Sequence, residues 1–318
     1  MIHASNQLKA PTKCYPFRDK SIGCPIDSGG SGVPRSNLLP SVVGIMVLAL
    51  AVACSTQPPG RPDLLGSTTP TQPRDTTRIP LTPYFRGLKT ASLRIDGSDY
   101  TFLVDTAGGR TLLAPEVAAT LGCTPRGRDV GYRMNGEPVV FQNCPVLSGM
   151  LSSLPVHVAP VAVFDINGLL PAELPRLHGS LALDAFRGQV LTLDWARNAL
   201  VVHSAPDGTD ALRRNGLPIR FATGETGTAL SVLVPVQSAR TQLWFLLDSG
   251  NVKGTLVDRR LLQDGSIQLK VDSFAQFRVG TGGEESLQVL ADDINYDGVL
   301  GTEFLQSHLI SIDLRRAP

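Results

Sequence analysis

Apolar positions in this chain fall in short runs, with little sign of helical spacing. Thr101-Phe102-Leu103-Val104, Val190-Leu191-Thr192-Leu193, Trp244-Phe245-Leu246-Leu247 and Leu309-Ile310-Ser311-Ile312 are each apolar and end at an aspartate. Short apolar runs bounded by turn residues predict buried strands. Gly (31) and Pro (24) are plentiful, which fits many strands joined by turns. One stretch reads otherwise: Pro115-Glu116-Val117-Ala118-Ala119-Thr120-Leu121-Gly122 predicts a short helix closed by glycine. Val130 to Phe141 predicts a hairpin, with Asn135-Gly136 as its tight turn. Phe277-Arg278-Val279 reads as a strand running into the glycine turn Gly280-Thr281-Gly282-Gly283.

The runs repeat in order. Thr101 to Gly108 parallels Trp244 to Asn251: an apolar strand, an Asp, a hydroxyl residue, then small or turn-forming residues. Thr111-Leu112-Leu113 then parallels Thr255-Leu256-Val257. Farther on, Gly179-Ser180-Leu181-Ala182 parallels Gly298-Val299-Leu300-Gly301, and Val190 to Asp194 parallels Leu309 to Asp313. Matching blocks in one order, twice, predict two copies of one half-fold. The turn-rich Ala205-Pro206-Asp207-Gly208 marks the boundary, giving a first lobe at 81–205 and a second at 206–318.

The N-terminus has a different character. Arg35 precedes an apolar run from Leu38 to Ala53, which closes on small residues before Cys54. That is a secretory signal pattern over 35–54, and the run is short for a membrane span. Leu50-Ala51-Val52-Ala53-Cys54 resembles a bacterial lipobox, although Ala51 stands where Leu is more usual. The resemblance implies cleavage before Cys54 and lipid on its thiol. With Ser55 following, it implies the periplasmic face of the outer membrane. A plain signal peptide or an anchor with a chance cysteine is the simpler alternative. Residues 1–34 fit poorly as the start of such a signal and read as an upstream segment outside the true reading frame start. Residues 55–80, rich in Pro, Thr, Gly and Gln, read as a flexible linker.

Composition narrows the classes. With 318 residues, 42% hydrophobic and 18% charged, the chain can bury a full core. A net charge of +1 without a basic stripe gives no sign of a nucleic-acid partner. With Cys54 given to lipid and Cys14 and Cys24 upstream, Cys123 and Cys144 remain. Outside the cytoplasm they are a candidate disulfide, or else two unpaired thiols. The histidines lack metal-ligand spacing, and there is no serine-hydrolase elbow. No cofactor or metal is expected.

Leu246-Leu247-Asp248-Ser249-Gly250 with Val299-Leu300-Gly301, and Val104-Asp105-Thr106 in the first half, resemble the aspartic-protease superfamily, most of all its retropepsin-like branch. Two departures stand in the first half: Ala107 and Ala182 replace the family's glycines. The resemblance spans about residues 84–315. It implies a mainly β fold of two pseudo-symmetric lobes with a cleft between them. It implies Asp105 and Asp248 as a catalytic dyad, supported by Thr106, Ser249 and Gly250, acting on polypeptide. Chemistry gives the same answer: two carboxyls close enough to share a proton provide both a base for water and an acid for the scissile carbonyl. The hairpin around Asn135 would be a flap over the cleft. Both motifs lie in one chain, which predicts an active monomer, an intrachain pseudo-dimer, unless the halves pair between chains.

Plainer readings stand beside these. Either Asp alone is an ordinary turn or cap residue. Asp194 and Asp313 read as strand ends holding turns. A non-catalytic peptide binder or scaffolding envelope lipoprotein with a degenerate protease fold is the alternative function.

Overall fold

The computed structural model of the chain describes residues 76–203, 216–224, 226–269, 273–279 and 283–318. The upstream segment, the signal, Cys54, the linker up to residue 75, the turn at 205–208 and Gly280-Thr281-Gly282 lie outside these residues.

The architecture is mainly β and two-lobed. Each half is built on the same crossing. In the first, Gly179–Leu181 lies between Ser98–Val104, to which it is parallel, and Leu112–Leu113, to which it is antiparallel. In the second, Gly298–Leu300 lies parallel to Gln242–Leu247 and antiparallel to Thr255–Asp258. Both inserted strands begin with glycine for one steric reason. A Cβ at Gly179 would fall 2.2 Å from the Leu112 carbonyl oxygen, and one at Gly298 would fall 2.6 Å from the Phe245 ring. Only a bare backbone fits between two such close neighbours.

The second-half sheet closes on itself, because Ser231–Gln237 pairs with both Gln242–Leu247 and Phe274–Val279. The first-half sheet is longer and ends in the hairpin Arg126–Tyr132 and Pro138–Cys144. A separate four-stranded sheet joins the halves. It runs Thr76–Pro80, Ala199–His203, Val190–Asp194, Leu309–Asp313, so Val190–Asp194 of the first half pairs with the last strand of the second. Phe102, Phe245, Phe277 and Trp195 are buried in one continuous core. Each such side chain contributes about 1.5–3 kcal/mol of burial.

One boundary is corrected. The linker reading extends to residue 80, yet Thr76–Pro80 is a strand paired residue by residue with Ala199–His203. Ile79 is its single buried apolar residue. Thr-rich composition with one anchor looks like a tether, and only the partner strand makes it structure. The helix lies at Pro115–Thr120 with Gly122 at φ +68° beyond it. Asp194 and Asp313 do end strands, each accepting an amide from a residue just beyond, Arg197 and Arg315.

Candidate active site

Each motif aspartate sits where a strand leaves its sheet, and the two are held alike. The Asp105 amide donates to the Leu181 carbonyl and the Asp248 amide to the Leu300 carbonyl, both at 2.9 Å. The crossing strand of each half thus fixes where its aspartate stands. The loops then turn back on their own carboxyls. Ala107 N donates to Asp105 Oδ1 at 3.1 Å, and Gly250 N donates to Asp248 Oδ1 at 2.8 Å.

The hydroxyl residues lock the two loops together. Thr106 N donates to Ser249 Oγ at 3.0 Å, and Ser249 N donates to Thr106 Oγ1 at 3.0 Å. Each hydroxyl then passes its proton onward: Thr106 Oγ1 donates to the Leu247 carbonyl (2.7 Å) and Ser249 Oγ to the Val104 carbonyl (2.8 Å). All four bonds cross between halves and are buried, where a hydrogen bond is strong and its absence costly.

This lock brings the two carboxyls to one place. Gly250 touches both: its amide binds Asp248, and a Cβ on it would lie 2.9 Å from Asp105 Oδ1. Asp105 keeps partial contact with solvent, while Asp248 is 5% exposed. Burial raises the pKa of both. For Asp248 the Asp105 charge adds to burial, and the carboxyl is pushed up to about 8, with the Gly250 and Asn251 amides opposing. At neutral pH the pair therefore retains a proton.

The two glycine departures have separate accounts. The Ala107 methyl faces an apolar cluster of Leu246, Leu256, Ile294 and Val299, joined by Met134, Leu233 and Tyr296. Gly250 has no such freedom, because the Asp105 carboxyl occupies the space beside it. Gly301 is hemmed in by Asn251 and the Gly254 carbonyl within 2.8 Å. In the first half Gly108 stands in Asn251's place without a side chain, and Ala182 is accommodated.

The hairpin tip reaches across to the second half. Arg133 to Glu137 forms a three-residue loop with Gly136 at φ +84°, not a two-residue turn. The Met134 carbonyl accepts from Asn295 N at 2.8 Å, and Met134 packs into the cluster around Ala107 and Tyr296. Tyr296 packs in the same cluster as Ala107, two residues past Asp105, and its phenol is raised by burial and by the Asp248 charge. The hairpin's base is tied to the first loop: Arg110, two residues past Gly108, donates to Asp129 Oδ2 at 2.9 Å and to the Pro160 carbonyl. Two cavities of about 440 and 460 Å³ open elsewhere, and neither is lined by Asp105 or Asp248.

Cys123 and Cys144 are joined by a disulfide, with Cα atoms 6.0 Å apart. It ties the end of the helix at Pro115–Thr120 to the returning hairpin strand. Met134, Asn295, Tyr296, Arg110 and Asp129 carry no motif in the sequence. Met134 had a signal, its place in the hairpin read as a flap, and Tyr296 stands just before the repeated Gly298 block. Among the described residues no group of His, Cys, Asp or Glu could hold a metal ion.

No family model matches the chain, and no curated protein matches it. Solved structures similar to it include basic 7S globulin from soybean, at 12% identity and TM-score 0.48, over 76% of this chain and 93% of that one. Conglutin gamma, a basic 7S globulin from lupine seeds, is similar at 10% identity and TM-score 0.48, over 76% and 93%. An aspartic proteinase from Irpex lacteus is similar at 12% identity and TM-score 0.42, over 76% and 95%.

Proposed function

We propose that this chain is an endopeptidase of the aspartic type, hydrolysing polypeptide in the cleft between its halves. The observation that carries the proposal is the meeting of two carboxyls at Gly250, from loops interlocked through Thr106 and Ser249.

The chemistry follows from one shared proton. The ionised carboxyl draws a proton from a water between the pair, and the oxygen of that water attacks the scissile carbonyl. The protonated carboxyl hydrogen-bonds the carbonyl oxygen as charge develops there. A proton then passes to the leaving amine, the C–N bond breaks, and one carboxyl is left ionised again. Acid and base labels belong to the pair and not to either residue. Loop amides from Ala107 and Gly250 hold the carboxylates in place without rearrangement. The hairpin must lift for substrate to enter, then exclude water when it returns.

In this reading the enzyme is a monomer outside the cytoplasm. Cys54 carries lipid, and the chain sits on the periplasmic face of a bacterial outer membrane. The sequence support is the apolar run ending at Cys54.

The alternative, a peptide binder without turnover, draws on Met134, Ala107 and Tyr296 packed together beside the pair. Peptide-library cleavage across pH 3–8 separates the two. Turnover that is blocked by a statine-type inhibitor and lost in Asp248→Asn supports the enzyme. Tight peptide binding with no product at any pH supports the binder.

A further inference from the structure

The hairpin Arg126–Tyr132 and Pro138–Cys144 has two unlike faces. Its inner face carries Asp129 and Phe141, both engaged with Arg110. Its outer face is set by the register, which pairs Val130 with Val140 and Tyr132 with Pro138. These four form one apolar patch, and it is open to solvent. Tyr132 is 72% exposed, Val140 46% and Val130 43%. Two valines, a tyrosine and a proline together on one open face of a strand pair make a contiguous apolar surface of the kind that interaction sites use.

Charge selects the occupant. Arg126, Arg128 and Arg133 are exposed on the same hairpin, and Glu137 is the single exposed acid, paired with Arg133. Among the described residues Arg126 and Arg128 have no acidic partner. Two copies meeting through this patch would bring like charges together. An anionic lipid surface would instead attract the arginines, while valines and a tyrosine enter the headgroup boundary. The sequence places an apolar run ending at Cys54, with residues 55–75 before the first strand. That stretch extends to at most about 75 Å, so an anchored chain stays near its bilayer.

We infer that the outer face of this hairpin docks on an anionic bilayer, with Tyr132, Val130 and Val140 inserted and the arginines at the phosphates. It rests on the anchored reading above only for the presence of a nearby bilayer. The patch lies on the same hairpin as Met134, so docking would turn the cleft entrance towards polypeptide close to the membrane.

The test uses the full chain with a reporter, Tyr132→Trp, and a control reporter at the exposed Leu309, Leu309→Trp. Each is mixed with vesicles of brominated phosphatidylcholine and phosphatidylglycerol. The added Trp at 132 should lose at least half its emission, and the one at 309 should lose none. Arg126→Gln with Arg128→Gln should weaken vesicle binding about 25-fold, given roughly fivefold per surface charge. Sedimentation with vesicles but equal emission at both reporters overturns the docking and leaves the anchor intact. A blue shift at 132 that grows with protein concentration without vesicles also overturns it, in favour of a second copy. Neither sedimentation nor quenching removes the anchored reading and the docking together.

Discussion

Thr106 and Ser249 each donate a backbone amide to the other's side-chain hydroxyl, at 3.0 Å in both directions. The exchange is what keeps two loops, far apart in sequence, in register across the halves. Removing one hydroxyl strands a buried amide and a buried carbonyl at once. Thr106→Val should therefore cost about 1–3 kcal/mol in urea unfolding, and Ser249→Ala a similar amount. The double variant should cost less than their sum, because each single change already breaks the shared network. Strict additivity would show that the lock is not cooperative.

Gly250 and Ala107 occupy matched places with opposite tolerance. Gly250→Ala forces a methyl against Asp105 Oδ1, so the carboxyl must move. Peptide hydrolysis should fall about 100-fold or more, as expected for a displacement near 1 Å in a reacting group. Ala107→Gly should retain activity. Kinetics of both variants on one peptide decide it, and equal effects would mean the asymmetry is irrelevant.

Asp248→Asn should abolish turnover while changing stability in a pH-dependent way. Its carboxyl titrates near 3.8 when unfolded and at about 8 in the fold. The folded chain therefore favours the protonated form. Below about pH 3.8 this group costs the fold nothing, and stability declines as pH rises from there towards 8. One proton gives a slope of at most about 1.4 kcal/mol per pH unit. Thermal melting from pH 4 to 8 should fall more steeply for the native chain than for the variant. Parallel curves would contradict a proton-retaining pair.

The disulfide closes a loop with a sequence separation of 21. Its loss in Cys123→Ser with Cys144→Ser should cost about 3 kcal/mol, chiefly by releasing the unfolded chain. The denaturation midpoint of the oxidised native chain should exceed that of the variant, and no difference would show that the loop is already constrained without it.

Met134 and Tyr296 bring a test of the cover. Met134→Ala removes packing from the cluster beside the carboxyls. The expected result is a raised KM for peptides with a smaller change in kcat, since the hairpin holds substrate and does not carry the chemistry. A collapse of kcat alone would assign Met134 a different role.

The strands and their duplication are legible in the order of residues alone. Thr101 to Val104 and Trp244 to Leu247 are apolar because both faces of each strand are covered, and such runs are legible without a partner. Asp105 and Asp248, with their hydroxyl neighbours, were legible for the same reason, since each follows directly on its run. Tertiary structure alone decided what lies across the gap. That Thr76–Pro80 is a strand depends on Ala199–His203 supplying its hydrogen bonds. That Ala107 is tolerated where Gly250 is required depends on which side chain of the other half lies nearby. That Met134 meets Asn295, and Arg110 meets Asp129, follows from chain crossings that leave no periodic trace. Local patterns record which side of a strand is buried; they do not record which distant atoms do the burying.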